Sequence, residues 1–141
     1  MRSLLCFLLL LSANTFAAPE EVPTSDPRWA KAQSSYKAGS KGEGHRLLIA
    51  LADSHPGELG LAVACYSKIL EVEGQPLKSN PWIDLAADRL MALEQFGAIS
   101  ANTKVLHSAV SRVIDKALLE GRHLEARATS DRFLGKNPND L

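Results

Sequence analysis

Residues 39–56 read GSKGEGHRLLIALADSHP, and residues 121–138 read GRHLEARATSDRFLGKNP. In each stretch the opening glycine is followed four residues later by glutamate, five residues later by glycine or alanine, and seventeen residues later by proline. Glycine suits the tight turn at a helix end, and proline cannot continue a helix. The shared spacing therefore predicts a helical unit that occurs twice, which is typical of repeat proteins that hold other proteins.

The rest of the chain also predicts helices, because apolar residues recur at spacings of three and four and no segment alternates as a strand would. Asp26-Pro27 and Asn80-Pro81 each predict a helix cap followed by a first-turn proline. The six predicted helices cover about 27–38, 43–54, 58–72, 81–96, a segment that begins at Ser100 or Asn102 and stops at Gly121, and 124–134. Short connections favour antiparallel neighbours, so we predict an all-α fold of three antiparallel helical hairpins.

Two of these hairpins resemble the tetratricopeptide repeat family, whose pattern is W-x2-L-G-x2-Y, a turn glycine, A-x3-F and a closing proline over about 34 residues. In the first hairpin the matching residues are Trp29, Ala32, Gln33, Tyr36, Gly39, Gly44, Leu48 and Pro56, with one residue deleted after Tyr36. In the last hairpin they are Val113, Ala117, Gly121, Ala126 and Pro138, with Ser130 at the aromatic position. The resemblance implies a short α-solenoid of three stacked hairpins in a domain over 27–141.

The end of the last hairpin is also similar to periplasmic repeat proteins of bacterial envelope assembly, whose helices often end in F-L-x-x-x-P-N. The matching residues are Phe133, Leu134, Pro138 and Asn139. The chain stops at residues 137–141, where a capping helix would normally follow in a repeat array. We therefore expect the C-terminal edge to be one candidate surface for a partner.

The first 17 residues are typical of a cleavable signal peptide. Arg2 precedes an apolar run over residues 4–11, which is shorter than the roughly 20 residues that span a bilayer, and Ala17 offers a small residue before the predicted cut. Cleavage would leave 124 residues (141 − 17) with a net charge of −1 (15 basic minus 16 acidic), of which 18–26 are predicted to be an extended leader. We predict an exported protein, periplasmic or secreted, with no membrane span after cleavage.

Charge, cysteine and histidine content argue against a nucleic-acid-binding protein and against a metal site. The signs of charge are interspersed, which does not favour a nucleic-acid partner. Cys65 is the only cysteine after cleavage, and its apolar neighbours predict a small core residue. No two histidines are spaced as a local metal pair on a helix, so we predict no metal and no cofactor. Glu71 and Glu73 are predicted to be a solvated helix end.

The family resemblance implies that the first helix of each hairpin lines a concave groove. The exposed positions there are candidate contacts: Gln33, Ser34 and Lys37 on the first helix, and Lys104, His107, Ser108 and Arg112 on the fifth. Lysine and arginine in a groove can clamp carboxylates or a peptide C-terminus. We therefore predict a non-catalytic module that binds a protein or peptide partner.

A second hypothesis is a secreted helical enzyme, or the leading domain of one, with His55 or His107 as acid or base. Asp53, Ser54 and His55 are the residue types of a hydrolase triad, although three consecutive side chains diverge at a helix end. A closed pocket that placed either histidine against a carboxylate and a nucleophile would favour the enzyme. A third hypothesis is a structural segment of a larger envelope complex.

Overall fold

The structure is a computed structural model that describes residues 23–74, 80–100 and 103–136. Within these ranges it contains no strand and six α-helices: α1 (Pro27–Lys37), α2 (Lys41–Ser54), α3 (Leu59–Glu73), α4 (Pro81–Gln95), α5 (Lys104–Leu119) and α6 (His123–Lys136). The predicted all-α class is confirmed. None of the described helices is both long enough and apolar enough to cross a membrane. The predicted signal peptide, most of the leader and residues 137–141 lie outside the described residues.

Two helices begin with the predicted cap and proline. The Asp26 carboxylate accepts a hydrogen bond from the backbone N–H of Arg28 at 2.9 Å, and the Asn80 side chain accepts one from Trp82 at 2.9 Å. The side-chain hydrogen bond with Arg28 is the main cause that lowers the pKa of Asp26 to about 2. The cap of α1 is therefore ionised at neutral pH, as suits a helix N-terminus.

The start of α5 differs from the prediction, which gave Ser100 or Asn102 as the cap. The cap is Thr103, whose hydroxyl oxygen accepts from the backbone N–H of Leu106 at 3.4 Å. The same hydroxyl donates to the backbone carbonyl of Ser100 at 3.0 Å. Because this one side chain bonds on both sides of the turn, the helix begins after Thr103.

Gly39 and Gly121, which open the two related stretches, end α1 and α5 with the same backbone motif. Their φ angles are +81° and +72°, which is the left-handed region that favours glycine. The N–H of each glycine donates to a carbonyl three residues earlier, and the next N–H donates to one five residues earlier, at distances between 2.7 and 3.0 Å. This is the Schellman motif. The repeated spacing in the sequence is thus a repeated helix ending.

Gly44 allows α1 and α2 to approach closely. A Cβ at this position would lie 2.3 Å from Cε1 of Tyr36, well inside van der Waals contact. At the corresponding position of the second stretch, Ala126 is also buried. The aromatic ring of Tyr36 therefore requires glycine at position 44.

Gly44→Ala is expected to lower the free energy of unfolding by about 1–3 kcal/mol, because the added methyl group displaces the Tyr36 ring. The matched control is Gly42→Ala in the same helix, where a Cβ meets no atom within 4 Å. The control should gain up to about 1 kcal/mol from helix propensity. Urea denaturation followed by circular dichroism measures both, and equal gains in the two variants would contradict the close approach.

The core is formed where consecutive helices pack against each other, and α3 also packs against α5. The largest fully buried side chains are Leu48, Leu51, Ile69, Leu90, Leu106, His45 and Cys65. The prediction that Cys65 is a core residue is confirmed, and burial raises the pKa of its thiol to about 12. Leu59 is 38% exposed, because it is the first residue of α3.

Candidate functional site: a cleft between α3 and α5

The fifth helix has two distinct faces. Its buried face consists of Leu106, Ala109, Val110 and Ala117. A second face carries residues at alternating spacings of four and three, which place them along one side of a helix: Lys104, Ser108, Ser111, Asp115 and Leu118. These five residues line a cleft of about 880 Å³. Leu118, the last of these residues along the helix, is 47% exposed and lies outside the buried face.

The opposite wall of the cleft belongs to α3 and the residue that follows it. Its lining residues are Ser67, Leu70, Glu71 and Gly74, while Ile83 of α4 and Val105, Arg112 and Leu119 of α5 complete the lining. Ile83 and Leu70 are almost fully buried. The deepest part of the lining is therefore apolar, and the polar side chains lie nearer the surface. A concave site with an apolar floor and a few polar groups is the usual form of a ligand-binding cleft.

Three of the predicted contact residues, Lys104, Ser108 and Arg112, lie together in this cleft. Arg112 also forms an ion pair with α4, since its Nε lies 3.0 Å from Oδ1 of Asp84. Lys116 Nζ lies 3.6 Å from the other oxygen of the same carboxylate, which is 10% exposed. The charge of the Arg112 guanidinium is therefore partly neutralised by the Asp84 carboxylate. Lys104 is the more accessible cation in the cleft.

The other predicted contact residues lie outside the cleft. The His107 ring packs edge-on against Phe133 of α6, with 5.1 Å between ring centroids. Ser34 is exposed on α1 and donates to the carbonyl of Ala30, and Lys37 is exposed at the end of that helix. Gln33 is half-buried, and its Nε2 meets no acceptor among the described residues. The structure therefore brings part of the α5 set together and separates it from the α1 set.

The two histidines of the enzyme hypothesis are both placed away from the cleft. His55 caps the end of α2, where its Nδ1 lies 3.0 Å from the Ser54 hydroxyl and 3.1 Å from the carbonyl of Leu51. These contacts are all local to one helix end. Among the described residues there is also no group of three or more histidine, cysteine or acidic side chains placed to hold a metal ion.

A buried polar network beside the cleft was missed by the sequence analysis. Tyr36 Oη lies 2.9 Å from His45 Nδ1, and His45 Nε2 lies 2.6 Å from Oε1 of Glu73. Asn80 donates to the second oxygen of Glu73 at 2.8 Å. The network joins α1, α2 and α3 to the N-cap of α4. The prediction that Glu73 is solvated is wrong, since its side chain is 12% exposed, whereas that of Glu71 is 65% exposed.

The charge of Glu73 follows from this network. Burial is the largest single influence and would raise its pKa, but the hydrogen bonds from His45 and Asn80 and the charge on Lys41 together lower the pKa below its usual value. An ionised carboxylate can only accept, so the hydrogen in the contact belongs to His45 Nε2. Burial also raises the pKa of Tyr36. Glu73 immediately precedes Gly74, so the network supports the end of one cleft wall.

A signal for this network exists in the sequence. His45 lies three and seven residues before Leu48 and Ala52, which places it on the buried face of α2. Glu73 lies four and seven residues after Ile69 and Tyr66 on the buried face of α3. A histidine and a carboxylate on two buried faces indicate a pair, although only the tertiary structure joins them.

Comparisons of this chain with protein-family models, with curated proteins and with solved structures each find no match.

Proposed function

We propose that this chain is an exported, non-catalytic interaction module that holds a protein or peptide segment in the cleft between α3 and α5. We further propose that its helices form three hairpins stacked in the manner of a short tetratricopeptide-like solenoid, with α1, α3 and α5 as the first helices. In such an arrangement α3 and α5 are neighbours on the concave side. The direct packing of α3 against α5 supports this assignment.

The single observation that carries the proposal is the composition of the cleft lining. The cleft is lined by polar side chains, among them Lys104, Ser108 and Ser111, and at one end by two large exposed aliphatic residues, Leu118 and Leu119. Exposed aliphatic residues grouped at a concave surface mark contact sites for other molecules. Hydroxyls and a cation add directional contacts of the kind that recognise an extended peptide. The enzyme hypothesis stays a prediction without an observation in its favour, since His55 and His107 both lie elsewhere.

The cleft can be tested with Ser108→Trp, which would place an indole ring in it. Peptides selected from a random display library on the purified chain should bind this variant at least about tenfold more weakly, a loss of ~1.4 kcal/mol. Ser34→Trp is the matched change on α1, because both serines donate to the carbonyl four residues earlier. Isothermal titration measures both affinities.

The comparison of the two tryptophan variants separates the two sets of predicted contacts. Weakened binding in Ser108→Trp alone supports the cleft. Weakened binding in Ser34→Trp alone would move the site to α1 and refute the cleft. Circular dichroism of each variant checks that the helices are retained.

A further inference from the structure

The charges in the cleft are not equivalent, because some of them are already paired. Glu71 accepts from Lys68 at 2.9 Å, and Arg112 lies 3.0 Å from Asp84. Lys104 and Asp115 are both exposed, and within the described ranges neither has an opposite charge within 4.0 Å. Among the described residues that line the cleft, Lys104 and Asp115 are therefore exposed charges without an ion pair.

These two charges lie at opposite ends of the same helix face. Eleven residues separate them on α5. At a rise of 1.5 Å per residue this is about 16.5 Å, and at 3.6 residues per turn the two positions differ by only ~20° around the helix. An extended peptide advances about 3.3 Å per residue, so roughly five of its residues span the same distance.

The large exposed aliphatic side chains of the cleft lie at one end of it. Leu118 and Leu119 are 47% and 71% exposed and lie one turn beyond Asp115. Between the two charges the same face carries the hydroxyls of Ser108 and Ser111. The order along the face is thus a cation, two hydroxyls, an anion and an aliphatic pair.

We infer that the cleft selects an extended peptide segment by the order of its charges. The segment carries an acidic side chain at the Lys104 end, a basic side chain about five residues away at Asp115, and an aliphatic side chain next to the basic one. Opposite charges then meet at both ends, and the aliphatic residue covers Leu118 and Leu119. This inference rests on the proposed function, since it names the ligand of the same cleft.

Synthetic peptides of one length test the inference, each blocked at both termini and built of serine and glycine around one leucine. The first carries an acid and a base five residues apart, with leucine beside the base. The second has the same charges adjacent, the third has two acids, and the fourth has two bases. Fluorescence anisotropy with the full chain should give a dissociation constant about tenfold lower for the first peptide than for the other three, as two exposed ion pairs would supply.

Charge reversal should redirect this preference. Lys104→Glu makes both ends of the cleft acidic, so the two-base peptide should become the tightest ligand. Asp115→Lys makes both ends basic, so the two-acid peptide should become the tightest. The matched controls are Lys31→Glu on α1 and Asp88→Lys on α4, both exposed and outside the cleft. They change the net charge equally and should keep the order of affinities found with the unaltered chain.

The outcomes distinguish the two proposals. If none of the four peptides binds but peptides selected from the display library do, only this inference is overturned; if neither kind binds, the proposed function fails as well. If all four bind equally and the reversals leave their order unchanged, the cleft binds peptides without regard to charge order, and only this inference is overturned. Tightest binding of the two-acid peptide to the unaltered chain would also overturn it, because Asp115 would then have no role.

Discussion

Replacement of His45 by leucine is expected to lower the free energy of unfolding by about 3–5 kcal/mol, the usual cost of removing one member of a buried, hydrogen-bonded pair. The imidazole is fully buried, and leucine would leave Glu73 and Tyr36 without the partner that satisfies both. Chemical denaturation followed by circular dichroism measures the loss. A loss below ~0.5 kcal/mol would contradict a structural role for the network.

Two further variants identify the cause of that loss. His123→Leu is the matched control, because this histidine is exposed on α6, and its effect should stay within about 0.5 kcal/mol. A second replacement, Glu73→Leu, added to His45→Leu should recover part of the loss, since no buried charge then lacks a partner. If the double variant loses as much as the two single changes combined, packing and not pairing holds this region together.

The same network predicts a dependence of stability on pH. The pKa of Glu73 is lower in the folded chain than in the unfolded one, so the unfolded state binds more protons as the solution becomes acidic. The contribution is complete above roughly pH 4.3, the ordinary pKa of glutamate, and is lost as the pH falls through the lower folded value. Glu73→Gln removes this titration. Its stability should therefore fall less than that of the unaltered chain between neutral pH and pH ~3.

Asp84→Ala is the second change with a large expected effect, again about 3–5 kcal/mol of unfolding free energy. The carboxylate is buried between α4 and α5, where it faces Arg112 Nε at 3.0 Å and Lys116 Nζ at 3.6 Å. Alanine would leave two cations at this interface without the carboxylate that compensates them. Thermal and urea denaturation measure the loss.

The neighbouring helical turn provides the control for this variant. Asp88→Ala alters an exposed aspartate on the same helix and should change stability by less than about 0.5 kcal/mol. Equal, small effects of the two changes would show that the α4–α5 interface does not depend on Asp84. A large loss at Asp84 alone would support the ion pair that joins Arg112 of α5 to α4.

Much of the candidate site was predictable from the sequence, but not all of it. The family resemblance pointed to exposed positions on α5, and Lys104, Ser108 and Arg112 do line the cleft. The resemblance also pointed to His107 as a contact residue. This histidine is next to Ser108 in the sequence, but it packs against Phe133 of α6. A step of one residue turns the side chain by about 100° around a helix, so the neighbours of α5 decide which positions are accessible.

The sequence by itself determined where α1 and α4 begin and where α1 and α5 end. The cap hydrogen bonds at Asp26 and Asn80 and the turn hydrogen bonds at Gly39 and Gly121 join residues only two to five positions apart, so these helix ends depend on local order alone. Only the tertiary structure decided that His45 meets Glu73, 28 residues along the chain, and that Leu118 faces a cleft. Such contacts depend on how helices pack, and no local pattern specifies the angle and register of that packing.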